Sequence, residues 1–152
     1  MLAMRIVLDT ASFVSAVRSG GGAGSAVVKS ILSGEVVALM DHKLGLEYRE
    51  VALRPEHLAV SPLSREGILD LIATVEGVAE GVRVTMKHRP LSPDPKDDMV
   101  LDIAINGRAD AIVTSNIRHF MAAAKRHKIA VLTPAQLLEK LRRGKKNADW
   151  PA

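Results

Sequence analysis

The chain has 152 residues, 47% hydrophobic and 25% charged, which is enough length and apolar content to bury the core of one domain. It has no cysteine, which excludes disulfides and thiolate zinc sites, and no apolar run near the roughly 18 residues of a membrane span. A net charge of +4 and a pI of about 9.6 favour a polyanionic partner, and the cytoplasm is the expected location because MLAMRIVLD reaches an acidic residue too soon for a signal peptide.

Met4 to Leu8 is a continuous apolar run closed by Asp9, the pattern of a buried strand with a carboxylate at its C-terminal end. A short helix is predicted over Phe13 to Val17, ended by Arg18, Ser19 and the glycines Gly20 to Gly22. Those glycines fit neither common phosphate loop. GxGxxG would need glycine where Ser25 stands, and Lys29-Ser30 follows Val28 rather than the glycine of a P-loop. They read as a turn.

Ala23 to Ser33 reads as a helix stopped by Gly34, Glu35 to Met40 as a second strand, and Asp41 as the cap of a helix running to about Leu53, ahead of Pro55. On that helix Leu44, Tyr48 and Val51 form the apolar stripe. Glu47 falls inside the stripe and Glu50 at its edge, so Glu47 is the inward carboxylate. Residues 56–63 read as a loop, Ser64 to about Glu80 as a helix with Ile68, Leu69, Leu71, Ile72 and Val75 towards the core, and Gly81 as its end. Val82 to Met86 alternates apolar and polar, which predicts a strand at the sheet's edge, and Lys87 to Pro93 is a loop rich in proline and cations.

Ser92 to Asn116 is the most distinctive stretch. Asp94 suits an N-cap, Pro95 the first helical position, and Asp97 and Asp98 the first turn, where the helix dipole favours negative charge. Capping does not account for all of it, because Met99, Val100, Leu101, Ile103, Ala104 and Ile105 leave almost no polar face. A helix so covered draws Asp98 and Asp102 partly out of water, and a buried carboxylate needs an arginine, backbone donors or a cation. Gly107 stops this helix, Ala111 to Thr114 is the next strand with Asp110 as a turn residue before it, Ile117 to His127 a helix, and Ile129 to Leu132 the last strand. Thr133 caps and Pro134 opens a final helix to about Arg143. One domain over residues 1–143 is therefore expected, with a polar, mobile tail from Gly144 to Ala152.

Strands separated by helices imply a three-layer α/β/α sandwich with a central, mainly parallel sheet. Right-handed crossovers put the ligand crevice at the carboxyl ends of the strands, where Asp9 and the turn Thr114-Ser115-Asn116 stand. This topology can bring Asp9, Glu47, Asp98 and Asn116 together from four segments. They supply hard oxygen donors suited to Mg²⁺ or Mn²⁺, the composition of a phosphodiesterase site. Charge is unevenly spread. From Arg118 to Asp149, nine Lys or Arg face only Glu139 and Asp149, so an acidic cluster lies within a basic protein.

In MRIVLDT, LEYREVALRP, DPKDDMVLDIAI, ADAIVTSN with the following IRHF, and VLTPAQLL, taken in that order, the chain resembles the PIN-domain ribonucleases over about Met4 to Leu141. It is similar above all to the bacterial group that forms the toxin components of toxin-antitoxin systems. The resemblance implies divalent-metal-dependent cleavage of single-stranded RNA, with Mg²⁺ or Mn²⁺ as cofactor, a cognate antitoxin protein as partner, and a homodimer as a frequent assembly. Position by position it implies Asp9, Glu47 and Asp98 as the catalytic, metal-binding acids, with Asp97 as the alternative to Asp98. Asn116 stands at the fourth metal position, and Thr10 and Thr114 at flanking hydroxyl positions. Arg118, Lys87 and Arg89 are the expected RNA phosphate contacts.

Two departures bear on activity. Ala11 stands where the family commonly has asparagine, and VTSN replaces a VTGD-like turn, so the site loses negative charge and polar support. The rival expectation is a PIN-like module that binds RNA or a protein partner without cutting. A small-phosphate hydrolase is a weaker alternative, because Asp9-Thr10-Ala11 lacks the DxD of a nucleophile motif.

Overall fold

The computed structural model describes residues 2–87 and 94–148. Its central strand, β1 (Met4–Leu8), runs parallel to β2 (Val36–Met40) on one side and to β4 (Ala111–Val113) on the other, with Ile6 level with both Ala38 and Ala111. β3 (Glu80–Gly81) and β5 (Ala130–Leu132) form the edges, giving the order β3-β2-β1-β4-β5, all parallel. The central strands read as unbroken apolar runs because helices cover both faces. Ile6, Val7, Leu39, Ile112 and Val113 are fully buried.

Between β1 and β2 come α1 (Thr10–Arg18) and α2 (Ala23–Leu32); between β2 and β3 come α3 (His42–Ala52), α4 (Pro55–Leu58) and α5 (Arg65–Val78). α6 (Pro95–Asn106) precedes β4, α7 (Ile117–Arg126) follows it, and α8 (Pro134–Ala148) closes the described chain. α1 packs on α2 and α3, and α2 on α5 and α8, whereas α6 packs on β1, β2, β4 and α7. Right-handed crossovers assign these two groups to opposite faces of the sheet. Among the described residues no helix is long and apolar enough to cross a membrane.

The helix starts follow the cap chemistry. Asp9, Asp41 and Ser64 accept from the N–H three residues on, at Ser12, Leu44 and Gly67, and Asp94 accepts from Lys96 ahead of a proline-opened first turn. Each such cap is worth about 1 kcal/mol. α1 consequently begins at Thr10, three residues earlier than expected.

Three elements differ from the sequence reading. The stretch expected as loop at 56–63 contains α4, nucleated by Pro55 and closed by Arg54 O accepting from His57 and Leu58 N–H. The edge strand expected at Val82 to Met86 is instead the two-residue β3, one step upstream. Val82 N–H reaches the carbonyl of Met40, but β2 ends there because Asp41 caps α3, so nothing remains to pair with. The side chain of Asn106 takes over. It accepts from Thr85 and Met86 N–H at 3.0 Å each and donates to Met86 O at 2.9 Å. At the end of α6, Gly107 packs so closely that a Cβ would come within 2.9 Å of both Ile103 O and a Val82 methyl. Finally, α8 runs on to Ala148 rather than stopping at Arg143, so the segment read as a tail is helical over its first residues. The remainder, from Asp149, lies outside the described residues.

Candidate functional site

Pairing of β1 with β4 sets Leu8 beside Val113 and brings the ends of the two strands together, with Asp9 N–H donating to Val113 O at 3.1 Å. The Asp9 carboxylate is 6% exposed, and both its oxygens are held. Ser12 N–H donates to Oδ1 at 2.9 Å and the buried Thr114 hydroxyl donates to Oδ2 at 2.5 Å. The same hydroxyl accepts from Asn116 N–H at 2.9 Å, which fixes the turn after β4.

α3 crosses these strand ends. Glu47 accepts from the Thr10 hydroxyl at 2.9 Å, and the adjacent Tyr48, buried and stacked on Phe13 with ring centroids 4.3 Å apart, donates to Leu8 O at 2.5 Å. Burial, reinforced by the charges of Asp9 and Glu47, pushes the Tyr48 phenol well above its ordinary pKa. It therefore remains a neutral donor that pins the end of β1.

From the opposite side α6 contributes Asp97. Its Oδ2 lies 3.1 Å from His119 Nδ1 on the first turn of α7. Burial raises the Asp97 pKa, the neighbouring His119 opposes that shift, and the charges of Asp94 and Asp9 add to it. Asp98 lies about 100° further round the helix, on the face it shares with Asp102. Both of these are 5% exposed and both are partnered.

Near the strand ends, contacts thus link Asp9 to Thr114 and Thr114 to Asn116, Glu47 to Thr10, which follows Asp9, and His119 to Asp97, which feels the charge of Asp9. Of the two acids weighed for the third position, Asp97 feels the charge of Asp9, and Asp98 is buried and partnered beside it. Asn116 is exposed and its side chain makes no capping hydrogen bond. Arg118 is exposed beside it. Lys87 lies elsewhere, lining a cavity with Met99 and Asp102. Arg89 falls outside the described residues. His119 and Tyr48 carry contacts that pattern reading missed. Tyr48 reads as one more member of an apolar stripe, and the only hint for His119 is its place in the first turn of a helix that leaves the end of β4.

Among the described residues no Lys or Arg forms an ion pair with Asp9, Glu47 or Asp97; their partners are hydroxyls, a backbone amide and an imidazole. Nor, among those residues, are three His, Asp or Glu side chains close enough to cage a metal ion. The donor chemistry still fits a small hard cation. Apart from His119 every donor is oxygen, and Mg²⁺ commonly takes one or two carboxylates and fills its shell with water and substrate oxygens. A desolvated Asp97 crowded by Asp9 is the charge that such an ion would relieve.

A sequence profile of the PIN domain family matches residues 5–118, a span that holds Asp9, Thr10, Glu47, Asp97, Thr114 and Asn116, with His119 one residue beyond it. No curated protein sequence matches the chain.

Proposed function

The chain belongs to the PIN domain family, a family of nucleases, and from that premise we propose that it is a divalent-metal-dependent endoribonuclease acting on single-stranded RNA, the toxin of a toxin-antitoxin pair. The observation that carries this reading is the set of acids near the strand ends, Asp9, Glu47 and Asp97, none of which forms an ion pair with a Lys or Arg among the described residues. A fold retains such crowding where the negative charge has work to do.

In this reading Asp9, Glu47 and Asp97 would hold the cation, with Asn116 offering a neutral oxygen, and Asp97 takes the place first weighed for Asp98. A bound Mg²⁺ or Mn²⁺ supplies positive charge to the phosphoryl oxygens and acidifies water beside it. The chain's own residues do the rest. Thr114 and Ser12 N–H fix the Asp9 carboxylate, Thr10 fixes Glu47, and His119 holds Asp97. Asp97, its proton affinity raised by burial, is suited to accept the proton of the water that attacks phosphorus as the bond to the leaving ribose oxygen breaks. Arg118, exposed at the rim, is placed to meet a phosphate.

Cleavage of a labelled single-stranded RNA, assayed with Mg²⁺, with Mn²⁺ and with chelator, tests the nuclease. Cleavage that needs metal and is lost in Asp9→Asn and Asp97→Asn, while Asp98→Asn retains it, is the expected result. Folded protein that cleaves under no metal would instead make the chain a binding module, the reading that Ala11 and Asn116 favour. Growth arrest on expression, abolished by Asp9→Asn and relieved by a co-expressed antitoxin, tests the toxin assignment separately.

A further inference from the structure

On the side of α6 that faces β2, turned away from Asp97, lies a cavity of about 830 Å³ between the start of α3, the end of α5 and the segment after β3. Its apolar wall comes from Met40, Met99, Val82 and Val84. Its rim carries Lys43, Arg83 and Lys87, all exposed, and among the described residues none of the three has a hydrogen bond or ion pair.

The acids that border the same space are already engaged. Asp41 accepts from Leu44 N–H as the cap of α3, Glu76 is clamped by both terminal nitrogens of Arg49, and Asp102 is buried and partnered. Glu76 also feels the charge of His42. The cavity therefore presents an apolar wall beneath three exposed cations that, among the described residues, pair with no acid. An apolar ligand would leave the cations unused, and a simple inorganic anion would leave the methionines unused. A nucleotide uses both, because its base is flat, apolar on its faces and matched to polarisable thioethers, while its phosphates match lysine and arginine.

We propose that this cavity is a substrate subsite, seating one base of a single-stranded RNA against Met40 and Met99 while Lys43, Arg83 and Lys87 hold the flanking phosphates. The proposal rests on the nuclease reading for its choice of RNA, but its geometry is independent of the carboxylates. Double-stranded RNA keeps its bases stacked and cannot supply one, so the subsite selects unpaired segments.

Binding of a short fluorescently labelled single-stranded RNA, measured by anisotropy in chelator so that no cleavage occurs, tests it. The combined Lys43→Gln, Arg83→Gln and Lys87→Gln variant changes only exposed side chains. It is expected to bind at least about tenfold more weakly and to lower the salt slope by about 2, the loss of three single-strand phosphate contacts. An RNA with its bases removed should bind the native protein several-fold less tightly than the intact strand. Native-like affinity in the triple variant overturns the proposal. So does equal binding of base-free RNA or of polyglutamate, since either would make the patch a general polyanion or acidic-protein surface.

The cleavage assay separates the two readings. If RNA is cut but the triple variant keeps its KM, the subsite fails and the nuclease stands. If metal-free binding depends on the three cations and nothing is cut, the subsite stands and the nuclease fails.

Discussion

Near the start of β1 the Arg5 guanidinium answers the Glu80 carboxylate and also feels the charge of Asp110. Arg5 donates to Glu80 at 2.7 Å and to Gly107 O at 2.7 Å, and its N–H is accepted by Asp110 at 2.8 Å. At the other end of the same strand, Asp9, Glu47 and Asp97 meet hydroxyls, one amide and one imidazole instead. The shifts follow suit. The hydrogen bond from Arg5 lowers the pKa of Glu80, whereas burial raises that of Asp97. One cluster is neutralised within the fold and serves the fold. In the other, among the described residues, no Lys or Arg pairs with the acids.

Removing a charge from each cluster should therefore have opposite consequences. The largest effect is expected for Asp9→Asn, which should cut the cleavage rate by about 10²- to 10⁴-fold. Its melting temperature should change little, because asparagine still caps Ser12 N–H and eases the crowding, which offsets the loss of Oδ2 as acceptor for the Thr114 hydroxyl. Parallel assays of rate and thermal unfolding check this, and a destabilised variant with full activity would invert the contrast.

Thr114→Val sharpens the comparison from within the negative cluster. It leaves the buried Asp9 Oδ2 and the Asn116 N–H without the hydroxyl, at a cost of about 1–3 kcal/mol. Calorimetry should show a drop of several degrees in the melting temperature, with cleavage impaired because Asp9 is no longer held. An unchanged melting temperature would mean the hydroxyl does not support the carboxylate.

The strand-end carboxylate was legible because an apolar run that stops at an acid has few other readings, and β1 spans Met4–Leu8 as expected. Asp94 and Pro95 likewise marked the start of α6. The choice between Asp97 and Asp98 was not legible. Adjacent acids at a helix start are equivalent in composition, and their different surroundings come only from packing: Asp97 meets His119 on α7, while Asp98 is buried on the face that it shares with Asp102. The edge strand failed for a related reason. Alternation over Val82 to Met86 reports which side chains are covered, but pairing needs a neighbour, and β2 ends at Met40. The helix through Gly144 was missed because a glycine and a run of cations resemble a C-terminal stop.

On the neutralised side, Arg5→Gln should lower stability by at most about 1 kcal/mol, the worth of a partly exposed pair, and leave cleavage unaltered. Urea unfolding monitored alongside activity would show whether loss of that cation reaches the crevice. Arg49 and Glu76 offer the smallest and most specific test. The hydrogen bond from Arg49 holds the Glu76 pKa below the ordinary carboxylate value. The sign follows directly: this contribution is fully present above the unfolded value of about 4.3 and is lost as pH falls through the lower, folded value. Glu76→Gln should flatten that part of the acid side of the stability curve. A curve that keeps its slope would place the acid sensitivity elsewhere.

The most direct test of the charge contrast is Mn²⁺ binding, followed by electron paramagnetic resonance of the free ion, in the native protein, Asp9→Asn and Glu80→Gln. Native protein and Glu80→Gln should bind Mn²⁺ alike, with Mg²⁺ competing, and Asp9→Asn should bind at least about tenfold more weakly. Equal binding by all three proteins, or none by the native protein, would contradict the assignment of the uncompensated carboxylates to a divalent ion.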